Sequence, residues 1–381
     1  MENERIAGAL LRVLRLQRNW SQETLCHGIC VVSYLSKIEQ GKVTANPQLL
    51  EELFGRLDVV WQESKEMINL RDALYEGIFS LNDDLMLRNM QILEDNWDRL
   101  VIGPCYADFV LSRAYYHREP DTVPGELYLL LDARQQALAA ILQDRHEDAN
   151  RVYPCPLTVF WVGEKAFSKG NYTQALEYFQ RAYDQAAQEG YVHIMMYSQH
   201  FMANCCSDIG NLDAMYRHSR IAERLAGALG NQDLIDGIQY NIAATKTEFG
   251  DYEGAYAYFS CMKEPDAMSL HKLAICCEGL GRREEALAAL DKAKMAESNI
   301  PLKNEMCAVV RYRLEHLDHL GDPAYGKLLM DTYGAIEKEL HSGYARFHLR
   351  WVIQWLTANR QYRKAFEILQ TFPQYNHLTS F

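Results

Sequence analysis

The sequence predicts an all-α protein: two short helices joined by a tight turn near the N-terminus, then a long array of helical hairpins. Three observations carry this. The stretch Leu14–Lys42 places capping residues, apolar spacing and a stop glycine where a pair of short helices needs them. From about Ser64 onward the chain is helical almost without interruption. A pattern of glycine, alanine and aromatic positions also recurs along the second half.

The first helix is expected over 3–18, with Ile6, Leu10, Val13, Leu14 and Leu16 apolar and Arg12, Arg15 and Arg18 on or near another face. Ser21 is a good N-cap for a short helix over 21–28, because its hydroxyl accepts from an orphan backbone N–H. Leu25 and Ile29 form its apolar side. Leu35 and Ile38 do the same for a second helix over 32–40, leaving Ser33, Ser36 and Lys37 outward, and Gly41 stops it. Asn46-Pro47 opens the next helix, since proline suits a first turn; Leu49, Leu50, Leu53, Phe54 and Leu57 supply its buried side. Two short helices after a longer one describe a helix-turn-helix. In that module the second helix enters the major groove while the first crosses the phosphate backbone.

Ser21-Gln22-Glu23-Thr24-Leu25 and Ser33-Tyr34-Leu35-Ser36-Lys37-Ile38-Glu39-Gln40-Gly41-Lys42 resemble the Xre/Cro-type helix-turn-helix family. The chain departs from that pattern in a shorter turn and in Val31, which stands where the family usually has a capping Ser or Thr. The Gly28-Ile29-Cys30…Ser33-Tyr34-Leu35 variant is similar to the RNPP family of peptide-pheromone regulators. The resemblance implies that Val32, Ser33 and Lys37 face bases, that Gln22 and Lys42 hold phosphates, and that Tyr34 and Ser36 add contacts. Phosphate contacts set position, whereas base-edge contacts set sequence. Trp20 and Tyr34 fit either a core or a phosphate-facing place.

Three domain segments are expected: a DNA-binding domain over 1–60, a linker over 61–75 and a repeat domain over 76–381. Residues 85–100, 105–116 and 126–142 are expected helices, separated by a loop at 119–125, with a further break at 151–156. Beyond them, Gly170-Asn171-Tyr172 with Ala175, Phe179 and Ala182, and Gly163 seven residues ahead, resembles the tetratricopeptide pattern. It recurs around Gly210, Gly250 and Gly281, at spacings of about 31 to 40 residues against the usual period of about 34. Small residues let two helices approach, the glycine turns the chain, and each hairpin needs neighbours to bury its apolar face. The expected repeat domain is a right-handed superhelix.

In such an array the first helix of each hairpin lines the concave side. Phased on the glycines, the inward positions include His200, Asn204, Tyr240, Asn241, His271, Lys272, Arg311, Glu315, Arg350, Trp351 and Gln354. An asparagine amide carries both donor and acceptor, so Asn204 and Asn241 are the expected anchors for the backbone of an extended peptide. Lys272, Arg311 and Arg350 suit a terminal carboxylate or an acidic side chain. For each residue singly, an ordinary exposed helix position is an equally good reading.

Composition bounds the function. The net charge is −12, yet residues 1–58 hold seven basic and seven acidic side chains, so all the excess acid lies beyond them. An acidic body repels DNA and leaves it to the neutral module. GxxxxGK[ST], HExxH and GxSxG are missing, so no catalytic residue and no enzyme activity are expected. Cys26-His27 with Cys30, and the acid–histidine cluster Glu315-His316…Asp318-His319, are better explained without a metal; no metal or other cofactor is expected. The adjacent pairs Cys205-Cys206 and Cys276-Cys277 lie in apolar helical runs and suit small core residues in a reducing compartment. No apolar run is long enough to span a bilayer, which predicts a cytoplasmic protein without membrane contact. The RNPP resemblance implies a homodimer on a near-palindromic double-stranded DNA operator, with a short signalling peptide in the repeat groove. The alternatives are control by a partner or antagonist protein bound to the repeats, and a scaffold with no DNA role.

Overall fold

The computed structural model describes residues 2–61, 64–100, 103–296, 298, 300–340 and 342–371. Among them the regular structure is all helical, with a helix-turn-helix at the N-terminus and a helical repeat region after it. The helices are α1 Glu2–Gln17, α2 Gln22–Cys26, α3 Val32–Glu39, α4 Pro47–Arg56, α5 Lys65–Ser80, α6 Asp83–Asp95, α7 Trp97–Leu100 and α8 Tyr106–His117. There follow α9 Ala133–Leu142, α10 His146–Val152, α11 Pro156–Ser168, α12 Tyr172–Glu189, α13 Val192–Ile209, α14 Leu212–Leu229 and α15 Gln232–Phe249. The last are α16 Tyr252–Phe259, α17 Ala267–Gly279, α18 Arg283–Met295, α19 Lys303–Glu315, α20 Pro323–Glu339, α21 Ser342–Ala358 and α22 Tyr362–Gln370. The contacts divide the chain into two compact units, Met1–Met202 and Ala203–Phe381.

In the first unit, α1 to α4 enclose a core of Leu10, Leu11, Leu25, Leu35, Ile38, Leu53, Phe54 and Leu57. Trp61 stacks on Phe54 with ring centroids 4.2 Å apart, so this core continues past α4. Tyr106 of α8 packs against the same core. Gly8 lets α1 approach the end of α3: a Cβ there would clash with the Ile38 carbonyl oxygen. A second core gathers Met67, Leu70 and Leu74 of α5 with Met90, Leu93, Leu100, Cys105 and Phe109. The helix expected over 126–142 is broken. A 3-10 turn, Gly125–Leu130, ends before Asp132, whose side chain accepts from the Gln135 N–H while Gln135 answers onto the Asp132 N–H. This capping box fixes a new helix start that leucine and alanine content hides. The helix expected over 85–100 likewise divides at Asn96.

The repeat is more regular than expected. Four successive helices, α12 to α15, have 18 residues each. The turn after α14 shows how they are joined. Gly230 has φ +71, a left-handed conformation that an L side chain resists. The Asn231 N–H then bonds back to the Ala226 carbonyl at 2.9 Å, and the Asn231 side chain accepts from the Leu234 N–H at 3.0 Å. One residue closes a helix and the next opens another. Gly190, Gly210 and Gly250 occupy the corresponding places. In the second unit the main core runs through α17 to α22, around Tyr325, Val309, Val310, Leu329, Leu349, Val352 and Leu356.

Candidate functional site

The helix-turn-helix is held by a buried ion pair. Arg15 Nε donates to Glu39 Oε1 at 2.6 Å and Nη2 donates to Oε2 at 2.9 Å. Arg15 Nη1 donates to the Trp20 carbonyl at 2.7 Å, and the Gln22 amide donates to Glu39 Oε2 at 2.7 Å. One carboxylate thus ties the end of α1, the start of α2 and the end of α3. The hydrogen bonds to Glu39 hold Arg15 protonated still more firmly than usual. Arg15, expected on or near a face other than the apolar one, is buried by this pairing. Ser21 caps α2 by accepting from the Thr24 N–H at 3.0 Å, and Asn46 caps α4 by accepting from the Leu49 N–H at 2.7 Å.

On this frame Val32, Ser33, Lys37 and Lys42 are exposed. Ser36 is half-buried and accepts from the Gln40 amide at 3.1 Å. Tyr34 and Trp20 are half-buried and pack against the core, so Tyr34 offers only part of its ring to a ligand. Gln22 is half-buried and its amide nitrogen is committed to Glu39. Four of the seven expected DNA-contacting residues are therefore open on one small domain: two on the first turn of α3, Lys37 near its end, and Lys42 just beyond it.

Residues 11–60 match the helix-turn-helix family. The N-terminal domain is an Xre-type helix-turn-helix. A comparison with curated proteins finds no match. The domain points to a DNA-binding transcription regulator. No helix among the described residues is long and apolar enough to cross a membrane.

The expected ligand-facing residues divide between the two units. His200 lies in the first, half-buried and edge-on to Phe201, with its imidazole pushed down to about 4 by burial. In the second unit Asn241 Nδ2 donates to Asn204 Oδ1 at 3.2 Å, so the two expected anchors meet. Lys272 Nζ donates to the Tyr240 hydroxyl at 2.8 Å and sits over the Tyr240 and Phe347 rings at 5.1 Å. Arg311 pairs with Asp291 at 2.5 Å and with Glu315 at 3.5 Å. Arg350 Nη1 donates to the Tyr252 hydroxyl at 3.0 Å, and Gln354 is exposed.

His271 and Lys272 correct the expectation of an open surface: they are 2% and 4% exposed. Trp351 is buried as well. For His271 and Lys272 the physical reason is α21, whose side chains cover them. His348 stacks on His271 with centroids 6.0 Å apart, and Tyr344 and Phe347 flank Lys272. Burial pushes Lys272 down to about 8 and His348 down to about 4, and lowers His271 well below its usual value.

Sequence reasoning missed Arg346, which pairs with Asp208 and lies with Nε 3.4 Å from Glu248. Burial raises Glu248 to about 7, against the pull of Arg346. A signal was present: Arg346 is one turn before Arg350, and Asp208 one turn after Asn204, on the same helix faces.

Proposed function

We propose that this chain is a sequence-specific DNA-binding transcription regulator whose DNA affinity is set by a short signalling peptide bound to its repeat region, 76–381. The observation that carries the DNA part is the exposed edge of α3 on a domain pinned by the Arg15–Glu39 pair. Val32, Ser33 and Lys37 are assigned to base edges and Lys42 to phosphate, with partial contacts from Tyr34, Ser36 and Gln22. A single short reading helix recognises few base pairs, so a homodimer on a near-palindromic operator supplies the second half-site.

Support for the peptide part is the Asn204–Asn241 contact, where one amide donates to the other, a bond of the kind that a peptide backbone can replace. His200, Tyr240, Arg311, Glu315, Arg350 and Gln354 remain candidate contacts, and His271 and Lys272 become so only if α21 moves away. A ligand acts through its differential affinity for two conformations, so peptide-blind variants should keep basal DNA binding.

The test combines both parts. Lys37→Ala should cost about 1–3 kcal/mol on the selected operator and relax preference at one base pair. Lys42→Ala should weaken all sequences alike and reduce the salt dependence by about one counterion. Mobility shifts over single-base operator variants decide, and two variants indistinguishable from wild type would reject the interface. Asn204→Ala and Asn241→Ala should lose about 1–3 kcal/mol of peptide affinity by calorimetry. Undiminished affinity and switching in both would place the ligand elsewhere and favour a protein partner.

A further inference from the structure

The start of α3 breaks a local rule. Its N-cap is Val31, with φ −80 and ψ 148, and no side chain caps the helix. The neighbouring helices α2, α4 and α5 are capped by Ser21, Asn46 and Ser64. A valine in that place forgoes a hydrogen bond that serine, threonine, aspartate or asparagine makes readily. Nor does Val31 repay this by packing. It is 67% exposed, and Val32 beside it is 42% exposed. Two adjacent branched apolar side chains, one at the N-cap and one at the first helical position, therefore stand in solvent at the start of the helix whose N-terminal residues meet base edges in this type of domain.

Base edges in the major groove offer one apolar group, the C5-methyl of thymine. We infer that Val31 and Val32 form an apolar reading edge that selects thymine in the operator by contact with its methyl group. Val31 is thereby assigned a specificity role that the capping position does not ordinarily have. Ser33 and Lys37, one residue and about one turn further on, present polar groups to neighbouring base edges. β-Branching suits the task, because both valines hold few rotamers and lose little freedom on contact. The exposed positions carry little of the domain's packing, so substitution there leaves the core of Leu25, Leu35 and Ile38 intact.

The inference rests on the DNA-binding reading, and the experiment separates the two. Full-length protein is used to select operators from a randomised duplex library. Each thymine of the selected site is then replaced singly by uracil, which removes only the methyl group. Wild type should lose about fourfold in affinity at one or more thymines, the size expected for one buried methyl. In Val31→Ser or Val32→Ala the same replacement should make no difference at the thymine that the missing side chain reads. Val31→Ser should also melt at a higher temperature than wild type, because serine restores the cap. Indifference of wild type to uracil at every thymine, or unchanged sensitivity in both variants, would overturn the inference while leaving DNA binding standing. Failure to enrich any sequence would overturn both.

Discussion

Replacing Glu39 by leucine should unlock the N-terminal domain. The carboxylate accepts from Arg15 at 2.6 and 2.9 Å and from Gln22 at 2.7 Å, and it is almost wholly buried. Leucine roughly preserves volume but leaves the Arg15 guanidinium buried with, among the described residues, the Trp20 carbonyl as its one remaining partner. Breaking a buried pair from one side costs about 3–5 kcal/mol, because the remaining charge is stranded. That is a large share of the roughly 5–15 kcal/mol that holds a domain folded. Native-state hydrogen exchange at Leu11, Leu14, Leu35 and Ile38 reads the domain's own opening. Exchange there should accelerate by about a hundredfold to a few thousandfold, at about 1.4 kcal/mol per decade. The double variant Arg15→Met with Glu39→Leu should recover most of the loss, since an apolar pair of similar volume replaces an ion pair at little net cost. An acceleration below tenfold in the single variant would show that Glu39 does not hold the domain together. A double variant no better than the single one would show that the stranded charge is not the cause.

Two further outcomes test the repeat region. Gly230→Ala should destabilise by about 1–2 kcal/mol, because the left-handed φ of +71 is strained for alanine and the site is otherwise open. Gly227→Ala, three residues earlier within α14 and equally open, should stabilise by about 0.5–1 kcal/mol; shifts of the same sign in urea midpoint would contradict the turn geometry. The second prediction concerns acid. His348 is depressed to about 4, so its contribution is complete above about 6.5 and is lost as pH falls through that value toward 4, by about 3 kcal/mol; His271 acts in the same direction. Glu248, raised to about 7, opposes them: its cost is full above 7 and is relieved as pH falls toward 4.5. Glu248→Gln should therefore steepen the loss of stability between pH 7 and 4.5, and an unchanged profile would show that Glu248 is not held neutral by burial.

The local pieces were legible along the chain alone. Ser21, Asn46, Pro47 and Gly41 mark helix ends because caps and left-handed turns depend on adjacent backbone groups, and the structure uses each in that way. Leu25, Leu35, Ile38, Leu53 and Phe54 were legible as core because helical spacing alone places them on one face. The repeating glycine was legible at Gly170, Gly210 and Gly250. Gly190 and Gly230 between them carry the same signal, and with them the true unit becomes one 18-residue helix and its turn.

What remained depended on contacts between residues far apart in the chain. Arg15 belongs to the interior because Glu39, 24 residues away, lies opposite it, and no local pattern announces such a partner. Periodicity assigns His271 and Lys272 to a helix face, but it does not say what packs across that face. α21 places His348, Tyr344 and Phe347 against them, turning expected surface into interior and shifting their protonation. Val31 is the reverse case: apolar in composition, it is left in solvent, outside the core that α1 to α4 enclose around Leu35 and Ile38. Spacing along a chain fixes the faces of a helix; burial is fixed by whichever helix packs across them.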